Sequence, residues 1–258
     1  MTTEPGLPPA AEVLLRAVGL TRRFGGLAAV NAVSLDLRRG EVHAVIGTNG
    51  AGKSTLINML SGEMPPSEGT IHLGDAAITA WSQPRRARAG IGRSYQRTNI
   101  FEALTVFENA RLSAQAAEQR AWRVWESAAT CARSGAVARQ ALAATGLADS
   151  ADRVAGSLSH GGKRQLEIAM CLATQPRVLL LDEPLAGMGA EETERMLALL
   201  AGLRRGHAVL LVEHDMDAVF RIADRITVMV NGQVIASDVP ERIRVDPEVR
   251  TAYLGEDH

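Results

Sequence analysis

Apolar residues are patterned in two ways along this chain, and the two patterns occupy different stretches. Residues 12–80 carry short apolar runs at Val13–Val18, Val33–Leu37, Val42–Ile46 and Thr70–Leu73. Gly40-Glu41 and Ser67-Glu68-Gly69 punctuate them, which predicts strands joined by turns. Between residues 98 and 156 that pattern vanishes: Ala, Arg, Gln and Glu dominate, and Val137, Ala141 and Leu142 have helical spacing before a Gly146 stop. This block reads as a helical insertion, with Trp122 and Trp125 three apart on a helix as core or partner-facing residues. From Ser159 strands and helices alternate again. A helix over about Gly162–Thr174 stops before Pro176, and a buried strand follows at Val178–Leu181. Next come a helix near Glu191–Arg204, a strand at Ala208–Val212 and a helix near Met216–Ala223. Strands Ile226–Val230 and Gln233–Ala236 are joined by an Asn231-Gly232 hairpin turn, and a helix capped by Asp246 closes the chain.

Composition narrows the class. At 258 residues the chain can bury a full core, and its formal charge of −1 gives no bulk electrostatic case for nucleic acid or an anionic membrane. Aromatic residues make up 3%, too few to build a platform for stacking bases. Cys131 and Cys171 stand alone, without metal-ligand spacing, and read as core thiols suited to a reducing compartment. The Pro-rich, acidic stretch Met1–Glu12 lacks the basic and apolar regions of a signal peptide, and apolar runs are of strand length, so any membrane role is expected through a partner.

The chemistry starts at Gly47-Thr48-Asn49-Gly50-Ala51-Gly52-Lys53-Ser54, which follows the apolar run Val42–Ile46 and leads into the helical stretch Thr55–Leu60. Glycines let backbone N–H groups wrap a phosphate without Cβ clashes, and the helix N-terminus adds its positive dipole end. Lys53 supplies a compact cation for the β- and γ-phosphates, and the Ser54 hydroxyl is placed to ligate Mg²⁺. Of 28 Lys plus Arg only Lys53 and Lys163 are lysine, so lysine stands where a planar guanidinium would not serve. This loop predicts binding of a nucleoside triphosphate. A second feature matches it: Val178–Leu181 ends in Asp182-Glu183, and adjacent side chains on a strand point in different directions. Asp182 suits Mg²⁺ and Glu183 suits a base for the attacking water.

With these motifs the chain resembles the nucleotide-binding subunit of ABC transporters over roughly Leu14 to Gly255. Leu158-Ser159-His160-Gly161-Gly162-Lys163-Arg164-Gln165 is similar to the family signature LSGGQ, which reaches across a dimer to the γ-phosphate held by the other subunit. His160 and Gly162 depart from that pattern, while Ser159 and Gly161, which the resemblance assigns to phosphate contact, keep it. The resemblance makes Gln96 a Mg²⁺ and water ligand, His214 the switch residue at the γ-phosphate, and Phe24 the ring stacked on adenine. In Leu185-Ala186-Gly187-Met188-Gly189, Gly189 stands where many members have Asp. The nucleotide set is then Phe24, Gly47, Thr48, Asn49, Gly50, Ala51, Gly52, Lys53, Ser54, Thr55, Ser159 and Gly161, the metal set Ser54, Gln96 and Asp182, and the catalytic set Glu183, His214 and Gln96.

Arg93-Ser94-Tyr95-Gln96, Asn99-Ile100-Phe101, Leu104–Asn109, Asp182–Met188 and Ala252-Tyr253-Leu254-Gly255 resemble the ATPases of branched-chain amino acid importers more narrowly. The fold so implied is α/β: a P-loop core with an antiparallel β subdomain and a helical subdomain at about 98–160, all within one ATPase domain spanning 1–258. The function implied is ATP hydrolysis with Mg²⁺, peripheral on the cytoplasmic face of the inner membrane. The partners implied are permeases, a second ATPase subunit and, indirectly, a periplasmic solute-binding protein, with no nucleic acid. ATPases of urea or short-amide importers, of lipopolysaccharide-type exporters, and soluble ABC ATPases are the open alternatives.

Overall fold

The computed structural model describes residues 11–96, 99–118 and 128–254, with the side chains of 118, 128–131 and 253–254 left aside. Trp122 and Trp125 lie outside these residues. The elements run β1 (Val13–Phe24), β2 (Leu27–Arg38), β3 (Val42–Gly47), α1 (Lys53–Ser61), β4 (Glu68–Leu73), β5 (Ala76–Ala77), α2 (Gln83–Arg88), β6 (Ile91–Arg93), α3 (Val106–Glu118) and α4 (Ala128–Ala144). They continue α5 (His160–Ala173), β7 (Val178–Asp182), α6 (Ala190–Leu203), β8 (Ala208–Val212), α7 (Met216–Ile222), β9 (Arg225–Val230), β10 (Gln233–Asp238), α8 (Pro240–Val245) and α9 (Pro247–Leu254).

Two sheets and a helical layer make up the molecule. A six-stranded sheet has the order β10-β9-β3-β8-β7-β6, parallel except for β10, which returns antiparallel to β9. Strands β3, β7 and β8 are buried along their whole length, as a parallel sheet covered on both faces requires. A four-stranded antiparallel sheet, β2-β1-β4-β5, packs over α1 and one face of the first sheet. Helices α5, α6 and α7 cover the opposite face. Helices α3, α4 and α5 share a separate apolar cluster around Val106, Leu142 and Leu166.

Alternation alone foreshortened the antiparallel sheet. β1 and β2 form a hairpin of 12-residue strands whose register breaks at several bulges, with Gly19 and Ala32 in the left-handed region. Each bulge flips the inward face, so the period of two is lost over Arg22-Arg23 and Leu27–Asn31. The arginine-rich α2 and the three-residue β6 also escaped the pattern. Arg86 of α2 is fully buried and donates to the carbonyls of Trp81, Thr79, Met59 and Leu60. The last two belong to the C-terminal turn of α1, where a cation satisfies carbonyls the helix leaves open.

The predicted stops hold. Gly146 (φ +74°) follows α4, Asp246 Oδ1 accepts from the Glu248 and Val249 amides, and Asn231-Gly232 turns β9 into β10. His43 of β3 is buried and ties four strands together. Its Nδ1 faces the Asp36 carbonyl at 3.1 Å, its Nε2 faces Thr227 Oγ1 at 2.8 Å, and Thr227 in turn meets Ser237. Burial drives the imidazole pKa down to about 4.

Candidate active site

The carboxyl ends of β3, β6, β7 and β8 lie along one edge of the parallel sheet, and every loop that leaves this edge carries a residue singled out above. β3 runs into the glycine loop. A Cβ on Gly47 would overlap the Met229 carbonyl oxygen, and one on Gly52 (φ +97°) would overlap that of Ala29. The loop is also fastened by backbone bonds, Gly232 N–H to Ala51 O at 3.1 Å and Asn31 N–H to Gly232 O at 2.8 Å. Strands β2 and β9 and the β9–β10 turn therefore buttress it. Asn49 and Gly50 form its exposed tip, Thr48 is half-buried and Ala51 is buried beneath.

Lys53 opens α1 and is 6% exposed; its ammonium donates to the carbonyls of Gly47 at 2.6 Å and Thr48 at 3.1 Å. Burial lowers its pKa, while Glu183 and Asp182 pull the other way. Ser54 is exposed and Thr55 half-buried at the same helix end. Phe24 stands 45% exposed at the tip of the β1–β2 hairpin with the Arg22 guanidinium 5.0 Å from its ring centre. Ala29, five residues beyond Phe24 on β2, is the residue Gly52 abuts, so the strand leaving that tip touches the loop.

From β7 come both acids. Asp182 is buried, with a carboxyl pKa raised by burial against the opposing charge of Arg93, whose Nη2 is 3.8 Å away. Glu183 has φ +48°, a left-handed backbone that costs about 1 kcal/mol or more for a residue with a Cβ. Its amide is held by the Val212 carbonyl at 2.9 Å, and the turn points its carboxylate at the loops from β6 and β8. Gln96 Nε2 donates to Glu183 Oε2 at 3.0 Å, and His214 Nδ1 lies 3.9 Å from Glu183 Oε1. Strained backbone of this kind clusters at functional sites, and here it belongs to a residue with two polar neighbours.

Four residues not singled out beforehand hold this set in place. Glu213 is fully buried and accepts from the amides of Leu185 at 2.9 Å and His214 at 3.2 Å; burial raises its pKa. It therefore fixes both the turn after Glu183 and the base of His214. Arg93 donates to Asn58, Ser61 and Glu63 and so links α1 to Asp182. Arg164 of α5 donates to the carbonyls of Tyr95 and Gln96 and to Glu167, which accepts the Asn99 amide at 2.7 Å. The i, i+3 pair Arg164/Glu167 was visible as a helical spacing, but nothing in one sequence says what it grips. Glu192 of α6, also not singled out beforehand, meets the N-terminal end of α5.

Ser159 caps α5, accepting the Gly162 amide at 3.1 Å, and donates its hydroxyl hydrogen to Glu192 Oε1 at 3.0 Å. Ser159 and Gly161 thus make their contacts with α6, through Glu192, and share none with Lys53 or Glu183 among the described contacts. One chain brings together Glu183, Gln96 and His214 beside Asp182 and the loop.

Comparison with known proteins agrees with this geometry. A family model described as ABC transporter matches residues 30–186, and one described as branched-chain amino acid ATP-binding cassette transporter matches residues 233–258. The chain is 43% identical to the high-affinity branched-chain amino acid transport ATP-binding protein LivG of Salmonella typhimurium, covering 95% of this chain and 99% of that one. It is 40% identical to BraF of Pseudomonas aeruginosa, a protein of the same description, over 94% and 98% of the two chains. Among solved structures, a nucleotide-free ATP-binding cassette from an ABC transporter superposes with TM-score 0.83 at 29% identity, covering 95% of this chain and all of the other.

Proposed function

The chain belongs to the ABC transporter ATPase family, and from that premise we propose that it is the ATP-hydrolysing subunit of an importer for branched-chain amino acids. The family accounts for ATP binding and hydrolysis. The choice of solute rests on one observation, near full-length identity of 40–43% to subunits described as branched-chain amino acid transport proteins, reinforced by the C-terminal match.

The site supports a division of labour. Lys53 and the loop amides hold the β- and γ-phosphates, and Phe24 covers the base. Glu183 takes the proton of the attacking water, oriented by its hydrogen bond from Gln96. His214, 60% exposed and footed on Glu213, reaches toward the γ-phosphate. Ser54, Asp182 and Gln96 offer a hydroxyl, a carboxylate and an amide oxygen, the hard donors Mg²⁺ takes. Among the described residues no group of three or more His, Cys, Asp or Glu could hold a metal alone, which suits an ion shared with substrate phosphates. Such an ion would neutralise charge on the β- and γ-oxygens. Ser159 and Gly161 would meet the γ-phosphate held by a second ATPase subunit, since their contacts within this chain are to Gly162 and Glu192 and not to its own glycine loop.

We assign residues 1–258 to one ATPase domain, with α3, α4 and the segment to about residue 160 as its helical subdomain. Among the described residues no helix is long and apolar enough to cross a membrane, so the proposed contact is peripheral, on the cytoplasmic face, through permeases. Phe101, 56% exposed just before α3, is offered to that contact. A periplasmic solute-binding protein would act through the permeases.

The test is reconstitution with the permeases and solute-binding protein encoded alongside, in vesicles. Leucine, isoleucine or valine should raise ATPase activity and enter the vesicle. Stimulation by urea or a short amide alone would replace the solute assignment. Stimulation by lipopolysaccharide would replace import.

A further inference from the structure

The two signature residues assigned to phosphate contact both touch a single side chain of this same molecule. Glu192 lies in the first turn of α6, where its charge favours the helix dipole. A first-turn acid ordinarily serves its own helix. This one reaches 33 residues back in sequence to accept the Ser159 hydroxyl at 3.0 Å. Its carboxyl carbon also rests on Gly161, where a Cβ would lie 2.7 Å from it, and Gly161 is buried although it is the position assigned to phosphate contact. Ser159 already accepts the Gly162 amide, so its one hydroxyl hydrogen is committed to Glu192.

We infer that Glu192 is a positioning residue that competes with the partner-held γ-phosphate for Ser159 and Gly161, and so sets the ATP concentration at which two ATPase subunits close. The inference rests on the proposed role of Ser159 and Gly161. A phosphate oxygen and a carboxylate are both acceptors and both anionic, so one hydroxyl hydrogen serves one of them at a time. Closure then requires the Glu192 carboxylate to swing off Gly161 and release Ser159. Its position is suited to that: Glu192 is half-buried at a groove lined by Gln165, Met188 and Met196, and it has no ion pair among the described contacts to hold it back. Neighbouring Arg195 is taken by Glu191 at 2.7 Å.

The experiment measures ATP–Mg²⁺-driven association in a Glu183→Gln background, with the second ATPase subunit supplied, by sedimentation across an ATP titration. Glu192→Ala should lower the ATP concentration for half-association by about tenfold, the worth of one charge-assisted hydrogen bond. Glu192→Gln, which keeps the shape and removes the charge, should lower it in the same direction by less. A variant that merely damaged α6 would raise the threshold, so the sign separates competition from structural support, and thermal midpoints verify folding. Ser159→Ala should raise the threshold, and in that background Glu192→Ala should lose most of its effect. An unchanged or raised threshold in Glu192→Ala and Glu192→Gln, with Ser159→Ala still harmful, would overturn the competition alone. No effect of Ser159→Ala would overturn the underlying assignment of the signature.

Discussion

Two helix N-termini carry the phosphate chemistry proposed for this chain, and they are built on opposite plans. α1 begins at Gly52 with no side-chain cap, so its free amides and the loop amides remain for a ligand. The geometry of that end is imposed by backbone: carbonyls of Ala29 and Met229 leave no room for a Cβ, and Gly232 fastens Ala51. α5 begins at Ser159, which caps its own helix and is itself held by Glu192. One end is preorganised and complete within the chain. The other is closed by side chains that must change partners, as an interface that forms and opens in a cycle requires.

The largest test of that contrast is Lys53→Ala. It removes the one compact cation of the preorganised end, and binding of a fluorescent ATP analogue should fall below detection. Persisting affinity would mean that the loop does not carry the phosphates. Glu183→Gln comes next. It keeps the size and hydrogen bonding of the side chain, so ATP should still bind, while single-turnover hydrolysis falls by at least about a hundredfold, the usual share of a general base. A near wild-type rate would move the base elsewhere.

Glycine replacement compares the two ends directly. Gly52→Ala forces a Cβ into the Ala29 carbonyl at φ +97° and should cost roughly 2–3 kcal/mol of stability or more, together with nucleotide affinity. At the other end Gly162→Ala meets Leu158 Cβ at 3.3 Å within a regular helical turn and should stay within about 1 kcal/mol. Chemical denaturation of both variants reads the difference. Equal losses would mean that the signature end is as rigidly specified as the loop.

That contrast also explains what could be read from the chain alone. The glycine loop, Asp182-Glu183 and the buried strands were legible because each follows from local chemistry: a period, a turn residue, a spacing. The bulged hairpin was read short because each bulge resets the period of two. Glu213, Arg93, Arg164 and Glu192 were missed because their roles lie in contacts 28 to 89 positions away, which no local pattern encodes. Cys171 fits the core-thiol expectation: it is buried, and burial pushes its pKa up to about 12.

The smallest expected effect tests whether the rigidity of the loop end depends on the buried imidazole under it. His43 binds β2, β3, β9 and β10, and β3 and β9 are the strands that supply Gly47 and Met229 to the loop. Its folded pKa is lowered to about 4 from an ordinary 6.5, so between these values the unfolded chain binds more protons than the folded one. Stability therefore rises with pH across this window: the cost of the neutral imidazole fades as pH rises past 6.5 and grows progressively as pH falls toward 4. At pH 5.5 the loss should be on the order of 1 kcal/mol relative to neutral pH. His43→Gln can face both Asp36 O and Thr227 Oγ1 without titrating, so its stability should be flatter over the same range, whatever it loses at pH 7. Denaturation midpoints of both proteins from pH 7.5 to 5 measure the slope. Hydrogen exchange at pH 5.5 locates it, with amides of β3 and β9 expected to lose protection before those of α3 and α5. Parallel slopes for the two proteins would place the acid sensitivity outside His43, and earlier loss in α3 and α5 would make the signature half the weaker partner in acid.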